Sequence, residues 1–408
     1  MTKKRVVITG LGVVAPIGRD THAFWDAAVK GTNGIRPVQS FDPADFKTKV
    51  GGEVLDFDPG LYLSPGQIHS MDRSSQMAVA AATMAVESSG LDTEKEKPHR
   101  FGVAMGTTMG EPQVLEKGIQ IQYDTGDPSR IPSSLPRQYP CAVIPENLAA
   151  QFNAYGPNII IPTACAAGNY ALGYAYDLIC LNEADVLLAG GSDPFSKIAF
   201  TGFNRLLATA REVCRPFDKN RDGMAVGEGA GVLIVEELEH ARARGADIHA
   251  ELLGYGLGCD AFKMTIPDPT GQGGIIALNK ALKNAQVSPE EVDYICAHGT
   301  GTGENDKSET IIIKETMGKR AYEIPVSSIK SMCGHTMGAA SAIEAAASVL
   351  CIRNNIVLPT INYAEPDPDC DLDYVPNTAR EMHLNTVVSN AYAFGGNTSS
   401  IIFRRFKG

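Results

Sequence analysis

Short runs of β-branched and apolar residues, each closed by a glycine-rich turn, recur along this chain and alternate with alanine-rich stretches. The runs are Arg5 to Gly12, Phe101 to Gly106, Asn158 to Thr163, Ala184 to Gly191, Gly231 to Glu236, Val292 to Gly299, Val326 to Ser328 and Val387 to Ala391. Between them Ser74 to Ser89, Ala166 to Cys180, Gly273 to Ala285 and Gly338 to Arg353 read as helices whose small residues let them lie close on a sheet. Runs this apolar, separated by helices, predict an α/β architecture with sheets buried on both faces.

The stretch Gly229-Ala-Gly-Val-Leu-Ile-Val-Glu-Glu-Leu-Glu-His-Ala-Arg-Ala-Arg-Gly245 reads as strand then helix, and Ile248 to Gly254 as the next strand. The join between two similarly built halves is expected there, with an N-terminal half over 1–250 and a C-terminal half over 251–408. Element order suggests the two halves; no literal repeat is read across the join. The proline-rich loops Pro128 to Pro145 and Pro359 to Pro376 are too long for tight turns and are candidates for pocket walls or subunit contacts.

Lys and Arg number 36 against 47 Asp and Glu, a net charge of −11, and no basic stretch is long enough to follow a phosphate backbone. Nucleic acid is therefore not an expected partner. No apolar run reaches membrane-spanning length, and Met1-Thr-Lys-Lys-Arg5 leads straight into a strand-like run, so a soluble cytoplasmic protein is expected. The nine cysteines are scattered, with no C-x-x-C, which fits a reducing compartment.

Of these cysteines only Cys165 sits where a strand-like run turns sharply into a helix, in Ile159-Ile-Ile-Pro-Thr-Ala-Cys165-Ala-Ala-Gly168. A helix N-terminus favours the thiolate, and the small neighbours leave room for a substrate carbonyl, so this thiol is the candidate nucleophile. His298, in Cys296-Ala-His-Gly-Thr300-Gly-Thr302, and His335, in Lys330-Ser-Met-Cys-Gly-His335-Thr-Met-Gly338, also stand at turns among small residues. His22, His69, His99, His240, His249 and His383 read as surface residues. No histidine pair has zinc spacing, and no metal is expected.

The blocks around Cys165, His298, Lys330 and His335, with Asn390-Ala-Tyr-Ala-Phe394-Gly-Gly-Asn397-Thr, resemble the β-ketoacyl-acyl carrier protein synthase family in order and spacing. The resemblance runs from Val6-Val-Ile-Thr-Gly10 through Arg215-Pro-Phe-Asp-Lys-Asn-Arg-Asp-Gly223 to the last strand. It implies a thiolase-like fold, two similar halves with mixed β-sheets layered between α-helices, working as a dimer. It implies that Cys165 accepts an acyl group from its carrier protein, with the N–H groups of Cys165 and Phe394 as oxyanion hole. His298 and His335 would hold the malonyl thioester oxygen during decarboxylation, and Lys330 with Glu344 would fix His335 and the local field. Thr300 and Thr302 would bind the phosphopantetheine arm, Phe394 beside Gly395 would act as a gate, and Met109 would limit acyl length. No cofactor is implied beyond the carrier's own phosphopantetheine.

Three segments depart from that pattern. The basic cluster used to dock an acidic carrier protein is largely absent from Leu63-Ser-Pro-Gly-Gln-Ile-His-Ser-Met-Asp-Arg73, leaving Arg73, Arg130, Arg137 and Arg205 as candidate substitutes. Gly395-Gly-Asn397-Thr398 stands for the usual Gly-Gly-Thr-Asn, and Lys263 for a usual histidine. Gly303-Glu-Asn305-Asp306-Lys-Ser-Glu309-Thr310, Ser327 to His335 and Cys370 to Pro376 lean toward the ketosynthase subunit of bacterial type II polyketide synthases. The expected partners are an acyl carrier protein and either a second copy or a chain-length-factor-like subunit. The alternatives are a primary fatty-acid elongating synthase and a non-catalytic chain-length partner. A thiolase or an initiating synthase is the third class, disfavoured by the histidine pair.

Overall fold

The computed structural model describes residues 4–408. β1 (Val6–Val14), β2 (Phe101–Gly106), β3 (Asn158–Ile161), β4 (Val186–Asp193) and β5 (Gly229–Glu237) are followed by β6 (Ala250–Cys259), β7 (Tyr294–Cys296), β8 (Val326–Ser327), β9 (Thr386–Tyr392) and β10 (Asn397–Arg404). They join as one ten-stranded mixed sheet in the order β8-β7-β9-β10-β6-β1-β5-β4-β2-β3. Counted within its own set, each group of five runs 3-2-4-5-1 from edge to centre. The outer pairings are parallel and the inner ones antiparallel in both groups, and β1 meets β6 antiparallel. The repetition that no sequence period showed is therefore topological.

The helices that matter for the site are α1 (Arg73–Ser89), α2 (Pro112–Thr125), α3 (Ala167–Cys180), α4 (Lys197–Arg205), α5 (Gln272–Ala285), α6 (Gly303–Met317) and α7 (Ala340–Asn354). α1 packs on β1 and β5, and α5 on β6 and β10, while α3 and α7 pack on each other and on strands of both groups. α3 and α7 thus form a central layer, with a sheet half and an outer helix on either side. Small residues make the layers thin: a Cβ at Gly12 would fall 1.9 Å from the Ala81 carbonyl oxygen of α1, so only glycine allows that approach. The central strands β1, β4 and β5 are buried along their whole length, the pattern expected of strands covered on both faces.

α2, α4 and α6 were not legible from periodicity. α6 buries Asn305, Asp306, Ser308, Glu309 and Thr310 on its inner side, so it carries no continuous apolar stripe to read. The loop from Pro128 holds the helical turns Pro128–Arg130 and Leu135–Gln138 and is mostly exposed. The loop from Pro359 is pinned instead: the buried Asp218 carboxylate accepts the N–H groups of Ala364 (2.6 Å) and Glu365 (2.7 Å).

Two of the six histidines expected at the surface are not there. His240 bridges Glu236 (2.7 Å) and Glu96 (3.1 Å), and those hydrogen bonds raise it to about 10. His249 is buried, which lowers it to about 4. Both follow from crowding where the chain crosses from β5 to β6, a tertiary effect that local sequence does not report.

Candidate active site

β3 ends at Ile161, and the chain enters α3 through a single 3-10 turn, Ala164–Ala166. Ala164 takes φ +51°, a left-handed conformation that costs an alanine about 1–3 kcal/mol. That turn presents Cys165 at the helix start, 6% exposed, on the wall of a cavity of about 600 Å³. The thiol is not depressed as its place at a helix N-terminus predicts. Burial pushes it up to about 12 against the pull of Lys330 and of the Cys165 and Phe394 N–H groups, while the buried Asp193 adds to the rise.

His298 and His335 line the same cavity, their ring centroids 5.4 Å apart and nearly perpendicular. Both are almost fully buried, and burial first, then the Lys330 charge, holds both imidazoles well below their usual range and therefore neutral. Their tautomers are set by donors aimed at Nδ1. The Met337 N–H donates to His335 Nδ1 (3.1 Å), and the Lys330 ammonium lies 3.2 Å from His298 Nδ1. An acceptor at Nδ1 leaves the proton on Nε2, so each ring offers an N–H donor on its other side.

Lys330 is 1% exposed and bonds the Glu344 carboxylate and, at 2.7 Å, the His298 carbonyl oxygen. Burial pushes Glu344 up against the pull of that ammonium. The pair therefore fixes His298 and not His335, a correction to the expectation above. The reason is geometric: Lys330 opens the short helix Lys330–Cys333 and faces β7, whereas His335 is held by backbone, its N–H on the Ala225 carbonyl (2.6 Å) and its carbonyl on the Gly227 N–H (2.8 Å).

Thr300 and Thr302 reach the cavity side by side, their hydroxyl oxygens 2.9 Å apart. The Phe394 ring lies 5.5 Å from that of Phe203 at the cavity wall. Gly395 takes φ +78°, and its N–H donates to the Met264 carbonyl (2.7 Å), tying the Phe394 turn to the 260–267 loop. Met109 is not among the residues lining this cavity; its N–H donates to Asp193 at 3.2 Å. Arg73 is committed internally, its guanidinium paired twice with Glu228 at 2.7 Å, so it is no docking group. Arg130, Arg137 and Arg205 are exposed, and Lys263 lines the cavity mouth.

Two carboxylates organise the site without having been singled out. Glu309 of α6 accepts the His298 N–H (2.8 Å) and the Gly299 N–H (2.7 Å), and burial raises it to about 7. Asp193 ends β4 and accepts from the Thr107 hydroxyl (2.7 Å), the Thr108 N–H (2.7 Å) and the Gly338 N–H (2.6 Å), with burial raising it to about 6. Asp193 carried a signal, an acid closing an otherwise apolar strand. Glu309 lies inside the Gly303 to Thr310 block, where the resemblance gives it no role of its own. Among the described residues no group of three or more His, Cys, Asp and Glu side chains is placed to hold a metal ion.

Residues 3–241 match the model of the β-ketoacyl synthase N-terminal domain, and residues 249–364 that of the β-ketoacyl synthase C-terminal domain. The chain is 43% identical over 417 residues to the 3-oxoacyl-[acyl-carrier-protein] synthase 2 of Coxiella burnetii, covering 99% of each chain. It is 41% identical over 419 residues to the tetracenomycin polyketide synthase ketoacyl synthase alpha subunit of Streptomyces glaucescens, covering 99% of this chain and 98% of that protein. Among solved structures, the ishigamide ketosynthase/chain length factor superposes with a TM-score of 0.96 at 40% identity, covering 100% of both chains. With a buried thiol and two neutral imidazoles in one cavity and these matches along its length, the chain belongs to the β-ketoacyl synthase family.

Proposed function

We propose that this chain is the catalytic ketosynthase of a type II polyketide or polyene assembly, condensing malonyl-acyl carrier protein with an acyl group held on Cys165. The observation that carries the reading is the shared cavity lined by Cys165, His298 and His335, in which a donor at each imidazole's Nδ1 leaves the proton on Nε2. In the first step the Cys165 sulfur attacks the acyl-carrier thioester. The oxyanion sits between the Cys165 and Phe394 N–H groups, the carrier sulfur leaves, and the thiol proton goes to it. Each such donor is worth about 3–4 kcal/mol of transition-state stabilisation.

In the second step the malonyl thioester oxygen lies between the two Nε2–H groups. The bond to the carboxylate breaks, carbon dioxide leaves, and its electron pair becomes an enolate held by the imidazoles. The enolate carbon attacks the acyl-Cys165 carbonyl, the carbon–sulfur bond breaks, and the thiolate is reprotonated. Neutral imidazoles suit this task, since a cation there would hold the carboxylate instead of releasing it. Lys330, Glu344 and Glu309 position His298; Thr300 and Thr302 hold the carrier's arm; Phe394 and Gly395 form a movable wall. Met109 would shape an acyl pocket only where a neighbouring subunit completes it.

The relatives support the partners. One is named for acyl carrier protein, and the ishigamide structure pairs a ketosynthase with a chain length factor. A second subunit of similar fold fits the free edge at β3 and the exposed Leu115, Ile119 and Tyr123 of α2. A division into two halves near residue 250 is supported by the strand order, which repeats from β6 onward. Nine cysteines with no disulfide among the described residues suit a reducing cytoplasm, and among the described residues no helix is long and apolar enough to cross a membrane.

The test is incubation with radiolabelled malonyl-carrier protein and an acyl donor. A β-ketoacyl product that Cys165→Ala abolishes supports the reading; undiminished product from that variant overturns it. Native mass spectrometry after co-expression with neighbouring pathway proteins separates a polyketide heterodimer from a homodimeric fatty-acid synthase.

A further inference from the structure

The carboxylate of Asp193, at the end of β4 and 1% exposed, accepts from two separate turns. Its Oδ1 takes the Thr107 hydroxyl (2.7 Å) and the Met109 N–H (3.2 Å), and its Oδ2 takes the Thr108 N–H (2.7 Å) and the Gly338 N–H (2.6 Å). All of these donors are neutral; three lie on the turn that follows β2, and Gly338 lies on the turn that leads into α7. Burying an anion is costly, and bonds to the charge offset that cost only while both turns stay in place.

The second turn carries His335. Met337, directly before Gly338, stands at φ +54°, a conformation that a residue with a side chain keeps only when its surroundings impose it. In that conformation its N–H donates to His335 Nδ1 (3.1 Å), and the bond from Gly338 to Asp193 fixes the next peptide along. The charge itself acts on the other reacting group. Burial raises the Cys165 thiol, Lys330 pulls it down, and the Asp193 carboxylate raises it further. Gly106, which leads into the first turn, lies against the start of α3, where a Cβ would fall 2.3 Å from the Ala167 carbonyl carbon.

We propose that Asp193 is a positioning residue with opposite effects on the two half-reactions: its Oδ2 holds the His335 turn for decarboxylation, and its charge opposes attack by the Cys165 sulfur. The proposal rests on the ketosynthase reading and assigns to that site a group that is not among those lining the cavity.

The experiment pairs carbon dioxide release from malonyl-acyl carrier protein with iodoacetamide alkylation at Cys165, in wild type, Asp193→Ala and Asp193→Asn. Asp193→Ala removes both grip and charge, and its decarboxylation is expected to fall roughly tenfold while alkylation rises roughly threefold to tenfold. Asp193→Asn removes the charge but keeps an oxygen for the Gly338 N–H, so it is expected to recover most of the decarboxylation with alkylation as fast as in Asp193→Ala. Decarboxylation undiminished in Asp193→Ala, no recovery in Asp193→Asn, or alkylation that fails to rise in either overturns the proposal. Labelling that spreads to the fully buried Cys296 and Cys351 would mark a loosened fold in Asp193→Ala, and Thr107→Val then replaces it, removing one donor and keeping the charge. Decarboxylation falling roughly twofold to threefold in Thr107→Val supports the proposal, and an unchanged rate overturns it. A wild type that releases no carbon dioxide overturns the ketosynthase reading itself.

Discussion

In the N-terminal half, Pro162-Thr-Ala-Cys-Ala-Ala-Gly168 leads from β3 into α3; in the C-terminal half, His335-Thr-Met-Gly-Ala-Ala-Ser341 leads into α7. Each begins its helix with a 3-10 turn, Ala164–Ala166 and Met337–Ala339, and each enters it through a left-handed residue, Ala164 at +51° and Met337 at +54°. Cys165 and Gly338 are thus the same position of a duplicated turn. One half places the Cys165 thiol, the proposed nucleophile, there. The other places a bare N–H, which Asp193 of the first half grips at 2.6 Å, and shifts its functional side chain to His335, three residues earlier. Helix crossing at Gly168 and Ala342 sets the two turns together, since a Cβ at Gly168 would lie 2.5 Å from the Ala342 nitrogen. The two facing turns match in backbone and differ in the side chains they carry.

Replacing the nucleophile by its counterpart, Cys165→Gly, is the strongest way to break this asymmetry. The backbone is expected to tolerate it, while acylation seen by intact-protein mass spectrometry disappears and condensation falls by about three orders of magnitude or more. Next in size is Lys330→Met, which strands Glu344 as a buried unpaired acid. A loss of about 3–5 kcal/mol in urea unfolding is expected, with slower decarboxylation as His298 loses the donor at Nδ1. Gly338→Ala puts a Cβ 2.5 Å from the Thr107 carbonyl carbon and the Thr108 nitrogen, so about 1–3 kcal/mol of stability should go, with kcat for condensation falling as the Met337 N–H leaves His335. An unaltered kcat would separate the turn from the chemistry.

The smallest effects are pH effects. Asp193, raised by burial to about 6, binds its proton more readily folded than unfolded, so its contribution to stability grows as pH falls from 7 toward 4. Urea midpoints at pH 7 and 5 should show wild type gaining about 1 kcal/mol relative to Asp193→Asn. The imidazoles of His298 and His335 are held down, so they stay neutral below their ordinary pKa, and kcat for decarboxylation should show no acid limb near pH 6.5.

Much of this was legible in one dimension because it depends on local pattern. Buried strands read as apolar runs: Phe101–Gly106 has the predicted bounds, and α1, α3, α5 and α7 lie within two residues of theirs at each end. Cys165 stood out by its turn, and His298 and His335 by small neighbours and motif spacing. α6 escaped because the first half of its buried face, Asn305 to Thr310, is polar, with Asp306 and Glu309 bonded to loop backbone, and a polar inner face looks like an outer one. The duplicated turn escaped because only small residues repeat across it.

What the sequence determined by itself is the alternation of strand and helix, the residue types at the turns and the order in which thiol and imidazoles appear. Only the tertiary structure decided that Lys330 and Glu344 serve His298, that the Cys165 thiol is raised by burial, and that Asp193 meets the Gly338 N–H. Those facts depend on which groups lose water and which face each other across 165 to 344 of the chain, and such distances are set by packing of the central helices, not by neighbours in sequence.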